Sequence, residues 1–383
     1  MDVRTKKRRE TEIYENYWKF TAAYTDIMGP GFYRCLSVIL FFIDENRSEL
    51  EENARQRRDF SGSDLYRRLQ KLIVQVSGFQ GKDPTASARK AINQFVKIGF
   101  VNPMLLGYHP LARAFLHADS AAKKQILFSR IFYENSSLAS DVTVDRRDLK
   151  HIAFFLRTLD HNGSLDRDDV MALMISDITH YKNGYLTREE LDQQHRFAVA
   201  CGFDGRKYNQ IDHLKGHLRR VVDLKYDPAE ERFWFAEDPQ VAERDFDRSF
   251  ARDGVKHRIY KEELKEESRM LYGKPVSYLS KKPYKVLIAS HIKPLAQCLR
   301  EGREDQAYDA NNGLLLDPNA DSYFDKMDIS FADDGEILFG NGVEAEIRRE
   351  LGEYRLDPAV LNESRREYLR YHRDRFREKK GVR

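Results

Sequence analysis

The sequence predicts a multidomain α+β protein: a helix-rich N-terminal region followed by a C-terminal unit of strand, loop, strand and helix. Three observations carry this. The chain has 383 residues, beyond the ~100–200 usual for one domain. Apolar residues recur at helical spacing through much of the first two thirds. From Val286 onward the pattern changes to short apolar runs separated by His, Asn and Asp.

Composition narrows the class before any element is placed. Hydrophobic residues at 41% and aromatic residues at 12% are enough for packed cores, which excludes a mostly disordered chain. Charged residues at 33% and a mean hydropathy of −0.68 point to a soluble protein. The longest apolar stretch, Leu36–Ile43, is broken by Ser37 and falls far short of the ~20 residues that span a bilayer. MDVRTKKRRE leads into polar sequence without the apolar core of a secretory signal. Cys35, Cys201 and Cys298 stand far apart, so neither a disulfide framework nor a structural zinc is expected. The expectation is a cytoplasmic protein with no membrane contact. A net charge of +3 does not reveal a partner.

Residues 1–120 begin with Arg4, Lys6, Lys7, Arg8 and Arg9, which read as a solvated tail, a phosphate contact or a targeting signal. Leu65, Leu69 and Ile73 mark one face of a helix. Ser87–Val96 forms a second amphipathic helix ended by Gly99, with Phe100–Pro103 extended after it. Helix, glycine, short strand fits a winged-helix unit and fits a plain helical bundle equally well.

Residues 121–245 read as a second winged-helix-like domain. Leu149–Leu159 stops at Asn162-Gly163, and Ser164 or Asp166 is placed to cap the next helix. Thr187 with Glu190 matches a capping box. The Asp160–Met171 stretch fails as a calcium loop, because its glycine is misplaced and Met171 stands where Glu belongs. Gly205–Lys225 carries six Lys/Arg against two Asp/Glu. Val221–Lys225 and Arg232–Phe235 then alternate around Asp227-Pro228 as a β-hairpin. A basic helix followed by a hairpin is what a winged-helix DNA reader presents. Arg206, Lys207, Asn209, Gln210, Lys215, Arg219 and Arg220 are its candidate contacts, Asn and Gln to adenine, Arg to guanine and Lys to phosphate. His213 and His217 lie four apart, but no carboxylate at ligand spacing joins them, so a wet basic face is expected there. Residues 246–280 are charged, read as a helical connector, and end at Gly273-Lys274-Pro275.

Residues 281–383 form the last domain. An apolar strand, Val286–Ala289, delivers Ser290 and His291; a long loop leads to Asn312 and a second strand, Gly313–Leu316. Pro318 opens a helix that leaves Asp321 and Asp325 four apart on one face. Ile329–Phe331 and Glu336–Leu338 make a hairpin around Asp333-Asp334-Gly335. One His, one Asn and two Asp on strand, loop, strand and helix is a metal-hydrolase layout. Asn362–Arg383 holds nine Lys/Arg against four Asp/Glu; Arg366, Arg370 and Arg373 are candidate phosphate contacts.

Three ordered segments, Ala289-Ser290-His291-Ile292-Lys293-Pro294, Asn312-Gly313-Leu314-Leu315-Leu316 and Asp321-Ser322-Tyr323-Phe324-Asp325-Lys326, resemble the HNH nucleases with their ββα-metal fold. The likeness is greatest to the branch that forms the catalytic end of HNH-type restriction endonucleases. It implies His291 as general base, since neutral imidazole accepts a proton near pH 7. Asn312 would fix the loop and so orient His291. Asp321 stands where the family usually has its last His or Asn, and Asp325 matches an additional helix ligand. Ser290 replaces a frequent metal-binding Asp or His. An oxygen-led shell implies Mg²⁺, or Mn²⁺, more than zinc. Lys293 and Lys326 are candidate phosphate contacts. His291 as a structural histidine, Asp325 as an ion-pair partner and Asp309 as a loop brace are the plainer readings of the same residues. The expected activity is site-specific cleavage of double-stranded DNA, as a type II restriction enzyme that dimerises at least on DNA. A modification-dependent or nonspecific defence nuclease, or a DNA-binding regulator with an inactive centre, are the alternatives.

Overall fold

Helices dominate the N-terminal part because its apolar residues recur every three to four positions and polar side chains close the helix ends. The computed structural model describes residues 18–56, 60–79, 83–236 and 253–380, without the side chains of 204–208 and 380. The basic run at 4–9 and the side chains of Arg206 and Lys207 lie outside the described residues. The chain divides into two compact units, Met1–Asp238 and Pro239–Arg383.

In the first unit, α1 (Pro30–Glu45), α2 (Arg47–Arg55), α3 (Asp64–Ser77) and α4 (Pro84–Lys97) come first. Leu65, Leu69 and Ile73 are buried, as their spacing predicts. Ser63 Oγ accepts from the Tyr66 amide and Asp83 from the Ala86 amide, so both following helices are capped. α5 (Leu111–His117) and α6 (Ala121–Asn135) follow. The expected break near 120 is absent, because α6 completes the aromatic core begun before it. Phe100 meets Phe115 at 4.9 Å and Phe128 at 6.1 Å between ring centres. Gly99, at φ +86°, packs so close to the end of α6 that a Cβ there would lie 2.6 Å from the Asn135 carbonyl carbon.

α7 (His151–Asn162), β1 (Ser164–Leu165), α8 (Arg167–Ile175), α9 (Arg188–Ala200), α10 (Phe203–Leu218), β2 (Leu224–Asp227) and β3 (Arg232–Phe235) finish the unit. Asp166 with Asp169, and Thr187 with Glu190, form the two capping boxes. The three strands are antiparallel in the order β1-β3-β2, with Phe233 buried between Leu165 and Tyr226.

The second unit opens with α11 (Gly254–Tyr272), whose first amides at Val255 and Lys256 are capped by Asp253. Its charges predict a connector; its apolar face makes it a core element instead. Tyr260 and Leu264 are fully buried, and the Tyr278 hydroxyl donates to the Leu264 carbonyl at 2.9 Å. β4 (Ile288–His291), α12 (Leu295–Arg300), α13 (Glu304–Ala307), β5 (Gly313–Leu316) and α14 (Pro318–Asp325) follow. β4 and β5 pair antiparallel, with Ser290 opposite Leu314 and His291 opposite Gly313. β6 (Ile329–Phe331) and β7 (Ile337–Phe339) make the predicted hairpin. α15 (Ala345–Leu351) and α16 (Glu363–Lys380) close the unit. Leu314, Leu315, Leu316, Phe324 and Phe331 form its centre.

Candidate active site

The site is assembled where β4 ends, β5 begins and α14 packs against β4. The loop between the strands is held by Asn312, which is fully buried. Its Oδ1 accepts from the Lys293 amide at 2.7 Å, and its Nδ2 donates to the carbonyls of Lys293 and Gln306, both at 3.0 Å. Three bonds from one carboxamide staple the loop start to the loop end. The Asn312 carboxamide is thus spent on backbone groups of the loop.

His291 is half-buried at the end of β4. Its Nε2 lies 3.0 Å from the Ala307 carbonyl. A carbonyl oxygen only accepts, so Nε2 carries the proton and the neutral ring has its lone pair on Nδ1. The backbone thereby selects the tautomer that a general base needs. The ring also stacks on Tyr260 of α11, with centres 4.7 Å apart and planes 13° apart. His257, one turn earlier, has its ring centre 5.9 Å from that of His291, and its Nδ1 is buried without a hydrogen-bond partner among the described residues.

α14 supplies the acidic wall. Asp317 caps it, accepting from the Ala320 amide at 3.0 Å and from the Ser277 hydroxyl at 3.1 Å. Asp321 is half-buried and Asp325 exposed, one turn apart. Burial pushes the Asp321 carboxyl up to about 6; the Ser290 hydroxyl offsets part of this, and the Asp325 and Asp317 carboxylates add to it. Ser290 Oγ is itself buried, beside the Asp321 carboxyl. An acid raised by burial and like charge beside a buried hydroxyl is a place where a hard cation relieves the penalty on the charged carboxylate. The donor set therefore fits a hydrated divalent ion. Among the described residues no group of three or more His, Cys, Asp and Glu stands at metal-holding spacing; a divalent ion held here would keep much of its water, as Mg²⁺ commonly does.

Residues 274–332 match the family model described as HNH endonuclease. The C-terminal unit carries an HNH endonuclease domain. No curated protein matches the chain. The matched segment of this HNH domain holds β4, β5, α14 and β6, and leaves out α11 with His257 and Tyr260.

The remaining site expectations divide by burial. Lys293, expected on a phosphate, is turned inward: its ammonium binds Glu301 at 2.5 Å and Gln306 at 3.0 Å, bracing the HNH loop. Lys326 is exposed at the end of α14. Arg373 is buried and donates to the Phe331 carbonyl at 2.9 Å and to Asp333 at 2.5 Å, so it fastens α16 to the hairpin. Arg366 donates to the Asp333 carbonyl at 3.2 Å, and Arg370 is exposed beside Glu363.

The basic helix α10 is less wet than its composition predicts. Gln210 accepts from the Phe20 amide at 2.9 Å, and His213 Nδ1 accepts from the Ala22 amide at 3.2 Å. His217 is fully buried against Gln94, and burial pushes it down to about 3. Lys215 is buried between Asp212 and Glu231. These groups hold the 18–24 segment and the hairpin in place. Asn209, Arg219 and Arg220 remain exposed, with the Arg219 guanidinium 5.2 Å from the Tyr226 ring centre. Asp309 acts as the brace its plainer reading implies, accepting from the Asn311 amide at 2.9 Å and from the Tyr368 hydroxyl at 3.1 Å.

The residue that sequence reasoning missed is Tyr260. Its signal was present as the Tyr260–Leu264 apolar spacing within a charged helix.

Proposed function

We propose that the chain is a site-specific DNA endonuclease of the type II restriction class, with His291 as the base that activates water. The observation that carries this reading is the carbonyl-locked imidazole of His291 in one site with the raised carboxyl of Asp321. His291 Nδ1 takes a proton from water, the resulting hydroxide attacks phosphorus, and the P–O3′ bond breaks to leave a 5′-phosphate and a 3′-oxyanion, which takes a proton from solvent water to become the 3′-hydroxyl. When bound, a divalent cation supplies charge relief at the phosphate and the departing oxygen. Asp321, Asp325 and the Ser290 hydroxyl are the groups that would hold it. Oxygen donors favour Mg²⁺, with Mn²⁺ an acceptable substitute.

Two features support DNA as the bound polymer and a winged-helix reader in the first unit. The order α7, β1, helices, β2, β3, with β3 central in the sheet, is the arrangement in which a winged-helix domain places a helix before its wing. Exposed Asn209, Arg219 and Arg220 lie at that helix and its end. In the HNH unit, a cleft of about 480 Å³ is lined by Arg300, Arg375 and Lys379 with Glu378, beside Pro294 and Met327. One centre cuts one strand, so double-strand cleavage calls for two copies on DNA.

Purified protein with Mg²⁺ or Mn²⁺ on methylated and unmethylated plasmid tests the assignment. Discrete fragments from unmodified DNA, with ends of one sequence, are expected. Smearing, or cleavage only of methylated plasmid, contradicts restriction in favour of a nonspecific or modification-dependent nuclease.

A further inference from the structure

We infer that Tyr260, a residue of α11 outside the family-matched segment, is a positioning residue that sets the plane of the His291 imidazole. The inference rests on His291 being the base. The Ala307 carbonyl fixes one ring nitrogen, and a hydrogen bond at one ring atom does not by itself set the plane of a ring. The Tyr260 face, parallel to within 13° at 4.7 Å, removes that freedom, so Nδ1 is presented in one direction.

Tyr260 is in turn fixed by the two strands it serves. It is fully buried, and its hydroxyl donates to the Asn312 carbonyl at 3.2 Å and lies 3.5 Å from that of Ser290. Gly313, the residue paired with His291, makes the room. Its φ of −140° is ordinary extended backbone, open to any residue. What excludes a side chain is space: a Cβ there would stand 2.2 Å from the Tyr260 hydroxyl oxygen and 2.8 Å from Leu264 Cδ1. Glycine at 313 and tyrosine at 260 are one device.

The test is steady-state cleavage by the full chain with Mg²⁺ and plasmid DNA. Tyr260→Leu keeps an apolar side chain and loses the ring; kcat falls by on the order of 10–10² while KM and the DNA affinity of the His291→Ala background are unchanged. Tyr260→Phe keeps the ring and stays within about 3-fold of the parent, a smaller loss than one hydrogen bond to a catalytic group would give. Parental kcat for Tyr260→Leu overturns the inference, as do equal losses for Leu and Phe. If Tyr260→Leu does not fold, Gly313→Ala decides: it displaces the tyrosine and lowers kcat, and adding Tyr260→Phe, which removes the clashing oxygen, recovers part of the loss. No recovery overturns it. Undiminished cleavage by His291→Ala refutes the base assignment itself, a result separate from any Tyr260 outcome.

Discussion

Asn312 shows at residue scale how one side chain converts a loop into a site. Replacing it by Ala strands the Lys293 amide and two carbonyls in the interior, and each buried unpaired group costs about 1–3 kcal/mol. Asn312→Ala is therefore expected to lose about 2–4 kcal/mol in urea unfolding and to slow single-turnover cleavage; unchanged cleavage contradicts the staple. Lys293 is expected to behave as a brace. Lys293→Met should lower the cleavage rate without changing the salt dependence of DNA binding, whereas a phosphate contact would reduce that slope by about one. The two residues illustrate what a sequence carries. The places of His291 at a strand end, Asn312 before the next strand and Asp321 on a helix were legible because their order along the chain is local. The inward turn of Lys293 was not, since it depends on Glu301 and Gln306 reaching back across the folded loop.

At the scale of elements, the ends and faces of helices were readable and their neighbours were not. The capping boxes at Asp166 and Thr187 and the α14 face bearing Asp321 and Asp325 follow from spacing alone. α11 was legible as a helix, but a charged composition hides a single buried face, so its place against β4 and β5 was lost. α16 has the same double character. Arg365 is fully buried and pairs with Glu267 at 2.8 Å, while Arg370 is exposed. Arg373→Ala is expected to destabilise the unit by about 2–4 kcal/mol, because it removes a buried guanidinium from its carbonyl and carboxylate partners. Arg370→Ala should change stability by no more than about 0.5 kcal/mol and act, if α16 meets DNA, on the salt slope. Equal thermal midpoints for the two variants contradict this division. For α14, Mg²⁺ should raise the thermal midpoint of the parent and leave that of Asp321→Ala unmoved; equal shifts would remove Asp321 from the metal.

Across the whole molecule, the near-neutral charge of +3 conceals a sorting of cations between interior and surface. Lys215, Arg365 and Arg373 are consumed inside, so the basic runs at 205–225 and 365–383 overstate the surface left for DNA. Four histidines are likewise structural: burial pushes His109, His151 and His372 down to about 4 and His217 to about 3. Unfolded, each takes a proton near pH 6.5; folded, each stays neutral until far lower. Their contribution is fully present above pH 6.5 and is lost as pH falls toward 4, by up to about 1.4 kcal/mol per histidine and pH unit. The thermal midpoint should drop steeply between pH 6.5 and 5, and His372→Gln should flatten the fall; a midpoint constant over that range contradicts the burial account. The central claim, that His291 is the base of a metal-dependent phosphodiesterase centre, is tested most directly by single-turnover DNA cleavage with Mg²⁺ or Mn²⁺, comparing the parent with His291→Ala. Metal-dependent cleavage by the parent, reduced by at least about 10²-fold in the variant, is the expected result; no cleavage by the parent, or cleavage that survives the substitution, contradicts it.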